Sequence, residues 1–178
     1  MSHIVLEKWN ELQLKIEQQR DELNRESLLI ILFDWIRGIK KIKDSKVQNL
    51  YHEYLAYFEE VSDLDGILNI KPWYSLQELI EYDILKSTEL SFERPIVKVR
   101  DVLWELLVFK SDKECPCCGD DNLRAMTYKG QKELFFCCDI CGCIVDEDGG
   151  RKEVDDKLYP APFELVELKK IGVSSIDN

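Results

Sequence analysis

Apolar residues recur at three-to-four spacing through the first part of the chain. Val5, Trp9, Leu12, Ile16 and Leu23 stand among Glu, Lys, Gln and Arg, which predicts an amphipathic helix with a narrow apolar seam. Asn24 or Ser27 is placed to cap a second helix. Its first half, Leu28-Leu-Ile-Ile-Leu-Phe33, is apolar on every face, the pattern of a buried central helix, and Trp35, Ile36, Ile39 and Ile42 continue one side. Asp44 or Ser45 opens a third helix with Val47, Leu50, Tyr51, Tyr54, Leu55, Phe58 and Val61 at helical spacing. Lys71-Pro72-Trp73-Tyr74 breaks the rhythm. Ser75 with Glu78 then makes a capping box for a short helix carrying Leu76, Leu79 and Ile80. Ser87 to Glu93 reads as loop. Pro95 suits a first helical position, and Val99, Val102, Leu103 and Leu106 predict a helix ending near Lys110.

Past Lys110 the pattern changes. Leu123 to Tyr128 is strand-like, Lys129-Gly130 reads as a turn, Glu133 to Cys137 as a second strand, and Cys143-Ile-Val-Asp146 offers a third. Arg151 to Lys157 is charged and Tyr159-Pro-Ala-Pro162 is extended. Pro162 to Lys170 predicts a short helix bearing Phe163, Leu165, Val166 and Leu168, with Gly172 placed to end it and fraying expected from Ser174. The expected fold class is α+β. An N-terminal all-α helical bundle takes 1–110, a small C-terminal β-hairpin ribbon 111–150, and a tail with a short docking helix 151–178.

Two cysteine turns bracket the hairpin. They read Cys115-Pro-Cys117-Cys118-Gly119 and Cys138-Asp-Ile-Cys141-Gly142, with nineteen residues between Cys118 and Cys138. Each Cys-x-x-Cys turn aims two thiolates at one spot, and the glycine that follows permits the positive φ that closes it. Paired turns of this kind are the signature of a zinc ribbon, which puts Cys115, Cys118, Cys138 and Cys141 forward as ligands. A four-sulfur shell leaves no position for a substrate water, so the zinc is expected to be structural. A hairpin alone buries little apolar surface, so metal is expected to supply most of the ribbon's folding energy. The remaining cysteines, Cys117, Cys137 and Cys143, read as half-buried strand or turn residues. The alternative is that one of them replaces an assigned ligand.

Composition narrows the function classes. Thirty-five acidic against 24 basic residues leave a net charge of −11. Around the ribbon, Lys113, Arg124, Lys129 and Lys132 are outnumbered by Asp112, Glu114, Asp120, Asp121, Glu133, Asp139, Asp146, Glu147 and Asp148. A surface that tracks phosphates should be basic, so nucleic acid is disfavoured and a basic protein partner favoured. The one basic cluster, Arg37, Lys40, Lys41 and Lys43, reads as charge complementing a helix C-terminus. No phosphate loop, nucleophile elbow, His-Glu-x-x-His or dinucleotide fingerprint occurs, and His52 beside Glu53 is too common a pair to carry chemistry. No catalytic residue is assigned and a non-enzymatic protein is expected. Asp63-Leu-Asp65-Gly66 and Asp146-Glu-Asp148-Gly149 fail as calcium loops, since Val61 and Ile144 occupy the first position, where a carboxylate is required. No signal peptide is expected from the opening residues, and the longest apolar run, Leu28 to Phe33, is too short to span a bilayer. An odd cysteine count with this spacing adds the expectation of a reducing cytoplasm.

The segment Cys115-Pro-Cys117-Cys118-Gly119, followed by Cys138-Asp-Ile-Cys141 and the acidic Asp146-Glu-Asp-Gly149, resembles the CPCC-type cysteine-rich domain, a small bacterial zinc-binding module. The resemblance spans the ribbon alone. It implies association with toxin–immunity systems, including contact-dependent inhibition, in which small acidic cytosolic proteins block a basic toxin domain. The expected function is therefore neutralisation of a cognate toxin. The alternative is a zinc-ribbon adaptor associated with nucleic acid or transcription machinery.

Overall fold

The structure is a computed structural model that describes residues 2–56, 58, 75–88, 91–128, 130–154, 157–161 and 166. The chain is α+β, with helices followed by a five-stranded antiparallel sheet. It divides into two compact units, the second of which begins its ribbon part at Leu107.

In the helical unit, α1 (Ser2–Gln18) buries Val5, Trp9, Leu12 and Ile16, the predicted seam. Leu23 falls outside it, in the turn before the next helix, because α1 stops at Gln18. Helix α2 (Arg25–Lys40) is capped by Asn24, whose side chain accepts from the Ser27 N–H while the Ser27 hydroxyl accepts from the Asn24 N–H. Leu28, Leu29, Ile31, Leu32, Trp35, Ile36 and Ile39 are buried. Ile30 is 49% exposed, so α2 keeps one face in solvent and is not the enclosed central helix that its composition suggests. Helix α3 (Ser45–Tyr54) starts on Asp44, whose carboxylate accepts from the N–H groups of Lys46 and Val47. It buries Val47 and Tyr51, and Leu55 and Phe58 beyond its end are also fully buried. The α-helix ends at Tyr54 rather than running on toward Val61; Val61, the Lys71–Tyr74 break and the Asp63–Gly66 loop lie outside the described residues.

The capping box forms as expected, with the Ser75 N–H donating to Glu78 and the Glu78 N–H to the Ser75 hydroxyl. Helix α4 (Leu76–Glu78) then widens into a π-helical stretch, Leu79–Leu85, closed by the Lys86 N–H on the Glu81 carbonyl. Helix α5 (Glu93–Leu107) begins two residues before Pro95 and stops short of Lys110, which starts a strand. Its Val99, Val102, Leu103 and Leu106 are buried.

Two glutamines satisfy helix ends from neighbouring helices. Gln13 of α1 donates to the Ile84 and Ser87 carbonyls at 2.7 and 2.9 Å, and Gln48 of α3 donates to the Lys40 and Ile42 carbonyls at 2.9 and 2.8 Å. Carbonyls at a helix C-terminus lack intrahelical partners, so these bonds fix the packing as well as the termini. Trp9 meets Trp35 edge-to-face, 6.4 Å between ring centres, and the Trp35 indole N–H donates to the Lys8 carbonyl.

The sheet runs β1 (Lys110–Glu114), β2 (Asn122–Tyr128), β3 (Leu134–Cys137), β4 (Ile144–Asp146), in that order, and β5 (Leu158–Pro160) also pairs with β2. One edge of β2 is thus shared. Its first half, Asn122 to Arg124, pairs with β1, and Met126 to Tyr128 pairs with β5. The hairpin is the middle of a larger sheet. Residues Leu123 to Thr127 are buried without a gap, with Leu134, Phe135, Phe136, Val145 and Ala161. The sheet therefore has an apolar core of its own, larger than a bare hairpin would bury. The predicted helix at 162–170 lies outside the described residues except Val166, which is buried, as do the residues from Ser174 on.

Trp9→Ala is expected to destabilise the helical unit by roughly 3–5 kcal/mol, because a large, almost fully buried ring is removed. Urea unfolding followed by far-UV circular dichroism at fixed metal measures it; a loss below about 1 kcal/mol contradicts the packing described.

Candidate metal centre

Both cysteine turns lie at the same end of the sheet, and strand register is the reason. Thr127 pairs with Leu134 beside the hairpin turn, and three residues along, Arg124 pairs with Cys137. The loop before β2 and the loop after β3 must therefore meet. The first holds Cys115 and Cys118, the second Cys138 and Cys141.

The two loops share one hydrogen-bond plan. The Gly119 N–H donates to the Cys115 carbonyl at 2.9 Å, and the Gly142 N–H to the Cys138 carbonyl at 3.0 Å. Gly119 and Gly142 have φ of 71° and 68°, left-handed conformations in which a Cβ would be strained. The Cys115 N–H donates to the Asp121 carbonyl and the Cys138 N–H to the Cys143 carbonyl, closing each loop on itself.

The sulfurs of Cys115, Cys118, Cys138 and Cys141 all lie within 4.8 Å of one another. Cys115 is 3.6 Å from Cys141, and Cys118 is 3.7 Å from Cys138. A tetrahedral zinc with Zn–S bonds of about 2.3 Å has sulfur–sulfur edges of about 3.8 Å. The cluster is thus compatible with a metal such as zinc. Thiolate is the ligand type such an ion prefers, and the set leaves no carboxylate or water position in the shell.

Charge makes the same point. Burial works against ionisation of Cys115, but the Cys118 and Cys117 N–H groups aimed at its sulfur outweigh it and bring the thiol down to about 6. The Asp120 N–H favours the Cys118 thiolate, yet burial and the neighbouring thiols override it and push Cys118 up to about 12. Cys141 is raised too, its contact with the Cys143 N–H outweighed by burial and the Cys115 and Cys138 sulfurs. Without a cation the cluster holds one readily formed thiolate, at Cys115, and keeps protons on Cys118 and Cys141. A divalent ion is the group that removes that conflict.

Two ion pairs that spacing does not reveal tie the loops to the strands. Arg124 on β2, 1% exposed, donates from Nε to Asp139 of the second loop at 2.8 Å and from Nη1 to the Val108 carbonyl. Lys110 on β1 pairs with Asp121, just after the first loop, at 2.6 Å. Arg124 was counted above among the ribbon's surface cations, and its burial removes it from that surface.

The leftover cysteines have three different settings. Cys137 is half-buried on β3, and burial pushes its thiol up to about 12, with the Asp139 and Cys138 charges adding to the effect. Cys117 and Cys143 are not separate half-buried residues but are bonded to each other as a disulfide, with Cys117 exposed and Cys143 buried. The signal available was their placement, one inside the first turn and one just after the second.

The fold and site together define an α+β protein with a four-thiol cluster between two loops of an antiparallel sheet. No family model matches the chain, and no curated protein or solved structure matches it either.

Zinc binding is expected to release at least the two protons held by Cys118 and Cys141 at pH 7.5, so affinity rises with pH. Below about 6 the slope steepens as Cys115 also takes up a proton. Titration calorimetry in buffers of different ionisation enthalpy counts these protons; fewer than one released per zinc rules the shell out. Arg124→Ala is expected to lower the sheet's stability by about 2 kcal/mol, since the pair with the partly solvated Asp139 and the bond to the Val108 carbonyl are both lost. Thermal unfolding at saturating zinc reads this, and an unchanged midpoint would show that the pair does not position the loop.

Proposed function

We propose that this chain is a non-enzymatic binding protein in which a structural zinc, held by Cys115, Cys118, Cys138 and Cys141, stiffens a ribbon joined to a helical bundle. Its partner is a basic protein, and the function is neutralisation of a toxin domain in the manner of an immunity protein, in a reducing cytoplasm. The observation that carries this reading is the charge left exposed around the cysteine loops. Asp112, Glu114 and Asp120 are exposed beside the first loop, and Glu133, before β3, and Asp148, after β4, are exposed elsewhere on the sheet.

The neighbouring cations are largely engaged within the protein. Lys110 pairs with Asp121, Arg124 with Asp139 and Lys152 with Asp146. The Lys113 ammonium lies 5.4 Å from the Phe136 ring centre and donates to the Glu147 carbonyl. An acidic face of this kind speeds encounter with a cationic partner, and a metal-stiffened loop pair reduces the ordering needed on binding. Asp146, from the rejected calcium loop, accepts from the Asp148 and Gly150 N–H groups and from Lys152, which holds its carboxyl below the usual range.

One observation favours the adaptor reading. Lys8, Lys41 and Lys43 line a cleft of about 460 Å³ with Ile4, Gly38 and Ile42, a basic recess on an acidic protein.

Affinity capture from the native host, with mass spectrometry of the bound material, is the deciding experiment. The expected result is one basic protein whose association slows steeply with added salt. The combined variant Asp112→Lys, Glu114→Lys and Asp120→Lys is expected to weaken that complex at least about tenfold while zinc stoichiometry is unchanged. Capture of nuclease-sensitive material or polymerase subunits, lost on substituting Lys41 and Lys43, would instead establish the adaptor.

A further inference from the structure

The structure joins Cys117 and Cys143 by a disulfide, with their Cα atoms 6.4 Å apart. Neither belongs to the four-thiol cluster, yet the two are set on opposite loops of it. Cys117 lies between Cys115 and Cys118, and Cys143 follows Cys141 and Gly142. The bond therefore ties the first cysteine loop to the second, next to the Cys115 member of the cluster. Its closed ring contains Cys118, Cys138 and Cys141, while the Cys115 sulfur lies within 4.8 Å of both the Cys117 and the Cys143 sulfur.

Two features separate this pair from the other five cysteines. With the bond closed, Cys115, Cys118, Cys138 and Cys141 still stand at the spacing a tetrahedral ion needs, so bond and metal are geometrically compatible. Access is unequal, since Cys117 is exposed whereas Cys143 is 5% exposed. An incoming thiol can reach only the Cys117 sulfur, and Cys143 is the sheltered partner that re-forms the bond.

We propose that Cys117 and Cys143 form a thiol–disulfide exchange site, with a small-molecule thiol/disulfide couple of the glutathione type as co-reactant, and that its closure strengthens metal binding by the neighbouring four thiols. The exchange balances in two steps. A thiolate of the reductant attacks Cys117 Sγ, the Cys117–Cys143 bond breaks, and Cys143 leaves as a thiolate that takes up a proton. A second reductant thiolate then attacks its own sulfur in the mixed disulfide and releases Cys117, which also takes up a proton. Two electrons pass to the protein and the reductant leaves as its disulfide. The reverse sequence, begun by an oxidised couple, closes the bond.

The link to metal follows from loop closure. A bond across the two loops restricts the metal-free state more than the bound one, so closing it favours binding. By reciprocity, bound metal makes the bond harder to open by the same factor. This coupling rests on the metal reading proposed above; the exchange itself does not.

The test equilibrates the full chain, with and without one equivalent of zinc, in glutathione buffers of graded ratio, then traps free thiols and maps them by mass spectrometry. With zinc bound, only Cys117 and Cys143 are expected to titrate, as a single two-electron pair, while the other five thiols stay reduced. The glutathione ratio at half-closure should shift about tenfold between zinc-bound and metal-free protein. Chelator competition should give the oxidised chain about tenfold tighter zinc binding than the reduced chain or the Cys117→Ser, Cys143→Ser variant, which should still bind one zinc. A pair that stays open at every ratio, or bridges that engage other cysteines with zinc present, would overturn the exchange site. Equal zinc affinity in oxidised chain, reduced chain and double variant would overturn the coupling. Absence of zinc binding in all three would refute the metal reading, while the thiol map still decides the exchange.

Discussion

Repulsion among sulfurs brought to one point is the constraint on which the C-terminal half of this protein turns. Four thiols within 4.8 Å of one another cannot all ionise in a partly buried site, and the structure shows the conflict in the opposite displacement of Cys115 and Cys118. A protein tolerates such a cluster only if something offsets the charge or if protons stay on. The N–H groups of the loops do part of that work, stabilising one thiolate. The geometry that crowds the free thiols is also one compatible with a metal such as zinc.

The sheet exists in a form that serves this cluster. Antiparallel pairing of β2 with β3 determines which loops meet, and sharing of β2's other edge between β1 and β5 anchors the strand along its length. Arg124 and Lys110 then reach from strands to carboxylates of the loops, converting strand positions into loop positions. Because Arg124 is buried, this pair acts where solvent screening is weak, and its arrangement matters more than that of the exposed pairs elsewhere, such as Arg37 with Asp34. The buried apolar residues of the sheet and the Cys117–Cys143 bond each contribute to its order.

The withdrawal of Arg124 and Lys110 into ion pairs also shapes the outside of the ribbon. Each pair takes a carboxylate with its cation, so the acidic character rests on the exposed Asp112, Glu114 and Asp120. The helical unit follows a different logic. Its order comes from apolar seams and capped ends, with Gln13 and Gln48 fastening one helix to the terminus of another. Such bonds are local in space but remote in sequence, since Gln13 meets a carbonyl 71 residues away.

Periodicity and spacing by themselves determined the helix seams, the caps at Asn24, Asp44 and Ser75, the central hairpin, and the cysteines that come together. The seams and caps depend on residues within one or two turns of each other, where side-chain identity and backbone preference act directly, and the hairpin and its cysteines on turn residues at fixed spacing. Tertiary structure alone decided the rest. The exposed face at Ile30, the strands β1 and β5, the burial of Arg124 and the Cys117–Cys143 bond all depend on which segments become neighbours. Lys110 to Glu114 is too polar to read as a strand, and becomes one because β2 offers it an unpaired edge. Arg124 reads as a surface charge until the sheet closes over it and supplies Asp139 as its partner. A short-range pattern records what a residue prefers; the contacts that override that preference belong to the folded chain.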